Sequence, residues 1–448
     1  MARPLRVGIS LLGALALEAC APRGPMDGPL QQPVVLATVG TGRHAVPVLN
    51  GGYGSALVPD PDDPNAFFLL TDRGPNVDGA TAGQKLFPVP WFAPRIGRFR
   101  LENGTFALTD TIVLTASDST RLSGLPQPPG SGGTNEQAVA LDGALLGQGG
   151  YDRNGFDLEG LARLPDGSFW VSDEYGPYLL HVDSAGRELA RVDPFGGARP
   201  LPAVLAKRRP NCGMEGLALL PDGRTLAGIM QCPLENPRPS VPSIRRTRVT
   251  RLVLYDTRTG AAQQYLHLLD HPEHLSSEIA ALTADQFLVT ERDLRWPGQP
   301  GAFKRIHAVD VRAATDVTGD AAAATGLLVD GKTLEEKTIG AEDPGALLAA
   351  HGIRVASKTL VSDLVAELPG WSHDKPEGLA VIDDSTLVVS NDDDFGVTSS
   401  DPGGRVLPKI NPVTGAPDFA ELRVVRLRKP LTQIRDQSTS LSGITSAR

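Results

Sequence analysis

The chain has little aromatic content, 5% of its 448 residues, and only three cysteines. It contains no run of five basic residues, and 43 Lys and Arg against 52 Asp and Glu leave a formal charge of −9. Gripping a nucleic-acid backbone requires a basic face, so nucleic acid is excluded as a default partner. Beyond the N-terminal region no apolar stretch reaches the ~18 residues that a membrane span needs. What is abundant is turn material. The 49 Gly and 38 Pro point to many short elements and tight turns rather than long helices.

The first residues carry an address. Arg3 and Arg6 precede an apolar run from Val7 to Leu17, too short to span a bilayer and matching the apolar region of an export signal. The run ends in Leu17-Glu18-Ala19-Cys20, which is similar to a bacterial lipoprotein box with Cys20 as the lipidated residue, although Glu18 fits its position poorly. Residues 1–20 are therefore read as a lipoprotein-type signal peptide, and the Pro- and Gly-rich residues 21–33 as a tether. Residues 34–430 are read as one domain and 431–448 as a tail. The expected location is the periplasm, the outer membrane or cell surface, or otherwise the medium, with the membrane touched by a lipid anchor only.

Export changes the reading of the other two cysteines. Cys212 and Cys232 flank the turn Pro221-Asp222-Gly223 symmetrically, so folding that hairpin brings them together. A disulfide is the simplest account, and in an oxidising compartment such a loop contributes about 3 kcal/mol in the chain-entropy picture. Two separate buried thiols are the alternative, and two cysteines are too few for a zinc site.

A repeat organises the rest. Glu159-Gly160-Leu161-Ala162 runs through Pro165-Asp166-Gly167 to Trp170-Val171-Ser172-Asp173-Glu174. Glu215-Gly216-Leu217-Ala218 and Glu377-Gly378-Leu379-Ala380 begin similar units, and Glu278-Ile279-Ala280-Ala281 and Ser55-Ala56-Leu57-Val58 begin looser ones. Each unit is an apolar run, a turn and a second β-branched or aromatic run, the pattern of a strand hairpin. Further strands follow each hairpin, so a unit holds about four. Repeated four-stranded units are propeller blades. The expectation is an all-β chain, a β-propeller of about five to six four-stranded blades. Its ring is closed by N- and C-terminal strands, with the stretch near Val34 to Val39 pairing with Leu422 to Leu427. Residues 122–154 read as an insertion, and 357–368 carry helical apolar spacing at Leu360, Leu364 and Leu368.

Taken together, Asp72-Arg73-Gly74, the Glu-Gly-Leu copies, Asp173-Glu174-Tyr175-Gly176-Pro177, Thr290-Glu291-Arg292 and Asn391-Asp392-Asp393-Asp394-Phe395 resemble the phytase-like family described as having esterase-like activity of phytase. The resemblance spans about residues 50 to 428. It implies a β-propeller, an exported hydrolase-like protein and use of calcium. The segment Asp60-Pro61-Asp62-Asp63-Pro64 echoes an acidic segment of phytases only superficially.

Aligning the repeats places Ser55, Glu159, Glu215, Glu278 and Glu377 in one ring around the channel. A second ring at the end of the next strand is Asp72, Asp173, Gln231, Glu291 and Asn391, followed by Arg73, Glu174, Cys232, Arg292 and Asp392. Converging carboxylates repel one another unless protonated, paired with Arg or bound to a cation. Calcium takes six to eight oxygen ligands in flexible geometry, which suits such a mixed ring; zinc would want His or Cys. The candidate metal ligands are Asp72, Glu159, Asp173, Glu174, Glu215, Glu278, Glu291, Glu377, Asn391 and Asp392. A structural role, hydrogen bonding to backbone amides of neighbouring blades, explains the repetition well but accounts less well for a second acidic or amide ring at the end of the adjoining strands.

The chemistry expected of such a site is hydrolysis of a small phosphoester, carboxylester or lactone at the channel mouth. Glu159 and Glu377 are the candidate catalytic carboxylates, with Arg73 and Arg292 acting beside them. Arg73, Arg292, Lys375 and Tyr175 are the candidate substrate contacts, since guanidinium forks suit phosphate or carboxylate. The alternative is a non-enzymatic, surface-tethered propeller that binds a glycan or protein. Serine chemistry lacks a Gly-x-Ser-x-Gly. His373 is expected on a solvent-exposed loop.

Overall fold

The computed structural model describes residues 27–31, 34–237 and 242–435. The export signal and Cys20 lie outside them. Among the described residues no helix is long and apolar enough to cross a membrane.

Five antiparallel four-stranded sheets follow one another along the chain. Blade 1 comprises Ala56–Pro59, Ala66–Leu70, Arg95–Glu102 and Thr105–Val113. Blade 2 comprises Leu158–Arg163, Phe169–Asp173, Leu179–Val182 and Glu188–Val192. In blade 3 the strands are Met214–Leu219, Thr225–Met230, Val249–Asp256 and Ala262–Leu268. In blade 4 they are Leu275–Ala281, Gln286–Arg292, Lys304–Asp310 and Ser357–Asp363. Blade 5 takes Pro376–Asp383, Thr386–Asn391 and Glu421–Arg426 from the C-terminal part, and its outer strand, Gly28–Pro29, from the N-terminal part.

The second strand of each blade is almost wholly buried, and an apolar run fills its middle because both faces are covered. In blade 1, Phe67 and Leu69 pack toward Val388 and Val424 of blade 5, while Phe68 and Leu70 pack toward Phe169 and Val171 of blade 2. Similar cores join blades 2 and 3 through Trp170 and Leu217, blades 3 and 4 through Ile229 and Phe287, and blades 4 and 5 through Leu288 and Leu387. Among the described residues five such cores close a ring of five blades, the lower of the expected five to six.

Closure does join the two ends of the domain, but through a different N-terminal strand from the one expected. Gly28 and Pro29 pair with Leu422 and Glu421, inside the range read as a tether. Val35–Val39 pairs instead with Val46–Leu49. That hairpin joins Gln84–Leu86 and Val397–Ser399 in a small cap whose core includes Val48, Leu86, Phe92 and Phe395. Within the segment 122–154, Gln137–Val139 adds a parallel strand to Gln84–Leu86. Ser357–Asp363 is the outer strand of blade 4, not a helix, and only Leu364–Glu367 turns helical. A strand wins there because residues 357–363 have an open sheet edge, at Lys304–Asp310, to complete. The segment read as a tail begins by packing, with Leu431 and Ile434 buried between blades 4 and 5.

Candidate functional site

The repeat places its polar residues through a bulge. In blade 2, Leu158 pairs with Asp173 and Gly160 with Ser172, so Glu159 is an extra residue without a partner across the hairpin. The same irregularity leaves Glu215 unpaired in blade 3 and Glu377 in blade 5. A bulge re-aims side chains, and here all three carboxylates line one central cavity. The small residue that follows lets the inner strands meet: a Cβ on Gly216 would lie 2.5 Å from Glu278 Oε1 and 2.6 Å from the backbone nitrogen of Ile279.

Register corrects two of the aligned rings. In blade 4 the extra residue is Ser277, and Glu278 takes the place that Gly160, Gly216 and Gly378 hold elsewhere. Its carboxylate is buried away from the pit, accepting from the backbone nitrogens of Leu217 at 3.1 Å and Ile279 at 2.8 Å. This is the structural role foreseen for the ring. On the second strands, register aligns Asp72, Glu174, Gln231, Arg292 and Asp392, and the first four line the cavity. The neighbouring positions turn the other way. Asp173 accepts from the backbone nitrogens of Asp157 and Gly176, Glu291 lies among His267, His274 and Lys358, and Asn391 bonds the backbone at Phe419 and Glu421.

The cavity measures ≈ 950 Å³. Six buried carboxylates line it together, Asp72, Asp157, Glu159, Glu174, Glu215 and Glu377, and the buried Asp293, the half-buried Asp394 and the exposed Glu273 also reach the wall. Asp157 was missed by the repeat alignment. It lies just before the strand Leu158–Arg163, outside the repeated unit, and the bulge at Glu159 breaks the strand alternation that could have pointed to it. Oxygens of Asp72, Asp157 and Glu159 lie within 4.8 Å of one another. Burial first, and then the charges of Asp392 and Asp157, push the Asp72 carboxyl well above its usual range. Burial and the surrounding carboxylates do the same to Glu159 and Glu174. These three side chains resist ionising together without a cation.

Two guanidiniums offset part of this charge. Arg292 donates to Glu377 Oε1 at 2.6 Å and lies 3.9 Å from Glu215 Oε1, which Gln231 Nε2 also holds at 2.7 Å. Despite Arg292, burial pushes Glu215 up to about 8 and Glu377 up to about 7. Arg292 Nε and Nη1 are buried without a hydrogen-bond partner. Arg73 Nε lies 3.3 Å from Asp157 Oδ2, an ion-pair contact without hydrogen-bond geometry, and its Nη1 donates to Asn211 Oδ1 at 3.1 Å and Tyr175 Oη at 3.3 Å.

Other residues named from sequence lie elsewhere or are occupied. Tyr175 is fully buried and donates to the backbone oxygen of Gly124 at 2.8 Å; it is not on the cavity wall, so it is not a substrate contact at the mouth. Lys375 reaches the wall but is held by Asp392 at 2.8 Å and Asp394 at 2.6 Å. His373 is buried rather than exposed, bonded to Asp418 at 2.8 Å and Glu421 at 3.1 Å. Asp60 and Asp63 pair with Arg98 and Arg100 on blade 1, away from the pit. Cys212 and Cys232 form a disulfide, with Cα atoms 5.5 Å apart. The outer wall carries Lys85, Arg209, Arg245, Arg246, His271 and Arg295 together with the exposed Glu273, a predominantly basic rim above an acidic floor that sequence reasoning did not anticipate.

The fold and this floor define a five-bladed propeller with a carboxylate-lined central pit. The chain belongs to the phytase-like family, whose description is "Esterase-like activity of phytase" and whose match covers residues 49–395. It is 28% identical over 306 residues to an uncharacterized secreted protein of Arthroderma benhamiae, covering 54% of this chain and 59% of that relative's length. Solved structures give looser likenesses. A protein from Lactobacillus plantarum is 13% identical, with 86% of this chain and 89% of that one covered at a TM-score of 0.33. Virginiamycin B lyase from Staphylococcus aureus is 12% identical, with 74% and 75% covered at 0.30.

Proposed function

We propose that the protein is an exported, calcium-dependent hydrolase of a small ester, whether phosphoester, carboxylester or lactone. The observation that carries this reading is the trio Asp72, Asp157 and Glu159, buried side by side with converging oxygens. An all-oxygen donor set suits a hard cation, and neither His nor Cys belongs to the trio. Asp72, Asp157 and Glu159 would hold the ion. Bound there, calcium supplies a Lewis acid for the ester or phosphoryl oxygen and lowers the pKa of a coordinated water.

The chain's own residues do the rest. In a ring of five, blade 4 faces the boundary between blades 1 and 2, so Arg292 stands across the axis from the trio. Its unpartnered Nε and Nη1 are donors for an anionic oxygen of substrate or transition state. Glu377, with Oε1 held by Arg292 and its pKa about 7, takes a proton at Oε2 near neutral pH. Arg73 holds Asp157 in place from outside the trio. The basic rim draws anionic substrates toward the floor. A charged mouth of this kind supports the enzyme over a binding propeller, which would present an apolar or aromatic face. The export-signal pattern at residues 3–20 and the secreted relative support placement outside the cytoplasm.

The test is hydrolysis of phosphomonoester, phytate, carboxylester and lactone substrates by the purified protein, in calcium and in EDTA, beside Glu159→Gln. Turnover that requires calcium and falls at least tenfold in the variant is expected. Silence of the folded protein across the panel would overturn the enzyme and leave a binding propeller.

A further inference from the structure

The disulfide sits directly behind the pit. Cys212 lines the cavity, and the residues beside the two cysteines, Asn211 and Gln231, are both pit residues. Asn211 joins two groups that sequence places far apart: it accepts from Arg73 at 3.1 Å and donates to Glu174 Oε2 at 3.0 Å. Its backbone has φ of 52°, a left-handed conformation that asparagine adopts more readily than most residues. Gln231 donates to Glu215 at 2.7 Å.

A chain of backbone hydrogen bonds crosses three blades at this level. Glu174 donates to Asp157, Gly213 to Glu174, Gln231 to Gly213, and Ser276 to Gln231, at 2.8, 2.8, 2.9 and 3.0 Å. Asp157 and Glu174 belong to the blade 2 side, Gly213 and Gln231 to blade 3, and Ser276 to blade 4. Gly213 is required for the close approach, since a Cβ there would lie 2.4 Å from the backbone oxygen of Glu174. The disulfide spans the Gly213–Gln231 link, joining the residue before Gly213 to the residue after Gln231. The core joining blades 1 and 5 contains no residue of this belt, whereas Met214 and Met230, beside Gly213 and Gln231, belong to the core between blades 2 and 3.

We infer that the Cys212–Cys232 disulfide is a clasp for the pit. It holds Asn211 and Gln231 as positioning residues, and through them orients Glu174, Arg73 and Glu215. The reduced chain forms the propeller with a disassembled pit, so the site becomes competent only once the two thiols pass two electrons and two protons to an external disulfide oxidant, whose own disulfide is reduced to a dithiol as the Cys212–Cys232 bond forms. This inference rests on the proposed hydrolase for its catalytic consequence and on the belt alone for its structural one.

The experiment compares the oxidised protein, the protein reduced with a phosphine, and the Cys212→Ser/Cys232→Ser double variant. Backbone hydrogen exchange is the first readout. Reduction is expected to speed exchange at Gly213, Gln231 and Ser276 at least tenfold while the central strands of blades 1 and 5 stay protected. Unchanged exchange at those three amides, or loss of protection throughout blades 1 and 5, would overturn the local clasp. The second readout is a crystal structure of the double variant, expected to show the Asn211–Glu174 and Gln231–Glu215 contacts broken; finding both intact would overturn the positioning role. Turnover is the third, with kcat falling at least tenfold and KM changing less in the double variant and in Gln231→Met. If the oxidised protein turns over nothing, the hydrolase fails, while exchange and crystallography still decide the clasp.

Discussion

Arg292 and Glu377 form a buried ion pair at 2.6 Å that joins the second strand of blade 4 to the inner strand of blade 5 at the pit wall. Removing the charge with Arg292→Leu leaves Glu377 and Glu215 without their common cation. A destabilisation of about 3–5 kcal/mol is expected from breaking a buried pair in this way, read from urea unfolding. Arg292→Lys keeps the charge but loses the planar fork. It should stay folded and lose at least tenfold in kcat/KM on anionic substrates.

Glu159 is pressed by burial and by Asp157, Glu215, Glu377 and Glu174. Glu159→Gln removes one member of a repelling group, so in EDTA the variant should gain stability, on the order of 1 kcal/mol. Calcium should reverse the order. A ligand that binds only the folded state adds about 2.7 kcal/mol at a hundredfold excess over Kd, and the wild-type Tm should rise with calcium while that of the variant stays flat. A Tm indifferent to calcium in both proteins would count against the ion.

His373 offers a pH test away from the pit. Burial opposes its charge, yet Asp418 and Glu421 raise its pKa to about 9, above an ordinary value of 6.5. A raised folded pKa gives stability that is full below about pH 6.5 and is lost as pH climbs through about 9. Hydrogen bonds from His373 lower Asp418 and Glu421 despite their burial, so their share is present above the usual carboxylate range and lost in acid. Wild type should therefore exceed His373→Gln by about 3 kcal/mol at pH 6, and the gap should close by pH 10. Urea midpoints at the two pH values measure it.

Gly216 stands where two inner strands meet. Its Cβ would strike Glu278 and the backbone of Ile279, and no left-handed φ is involved. Gly216→Ala should cost about 1–3 kcal/mol through overpacking alone. Gly223→Ala, in a turn with φ of 71° and nothing nearby, tests backbone strain instead. Calorimetry of both variants separates the two causes.

Gly28–Pro29 completes blade 5, and the neighbouring Leu30 is buried. A chain beginning at Val34 exposes the edge of Glu421–Arg426 and loses that side chain's burial. It should be less stable by about 2 kcal/mol than a chain beginning at Ala21, and more prone to self-association through the bare edge. Urea unfolding and sedimentation give the two answers.

Local chemistry alone determined the blades, because each hairpin writes its own signature in apolar runs and Pro-Asp-Gly turns. It determined the disulfide as well, because the turn at Asp222 sets Cys212 and Cys232 level. The carboxylates at 159, 215 and 377 were legible as a repeat. Only the tertiary structure decided which polar residues share the pit. A one-residue bulge moves side chains from one face of a strand to the other, and no composition announces it. Ser277 rather than Glu278 occupies the bulged position, and Asp72 aligns with Glu174 rather than Asp173. Ring closure is likewise a long-range property. Whether Val35 or Gly28 completes blade 5 depends on which strand edge is left open when the other four blades have met, a matter of packing between residues nearly four hundred positions apart.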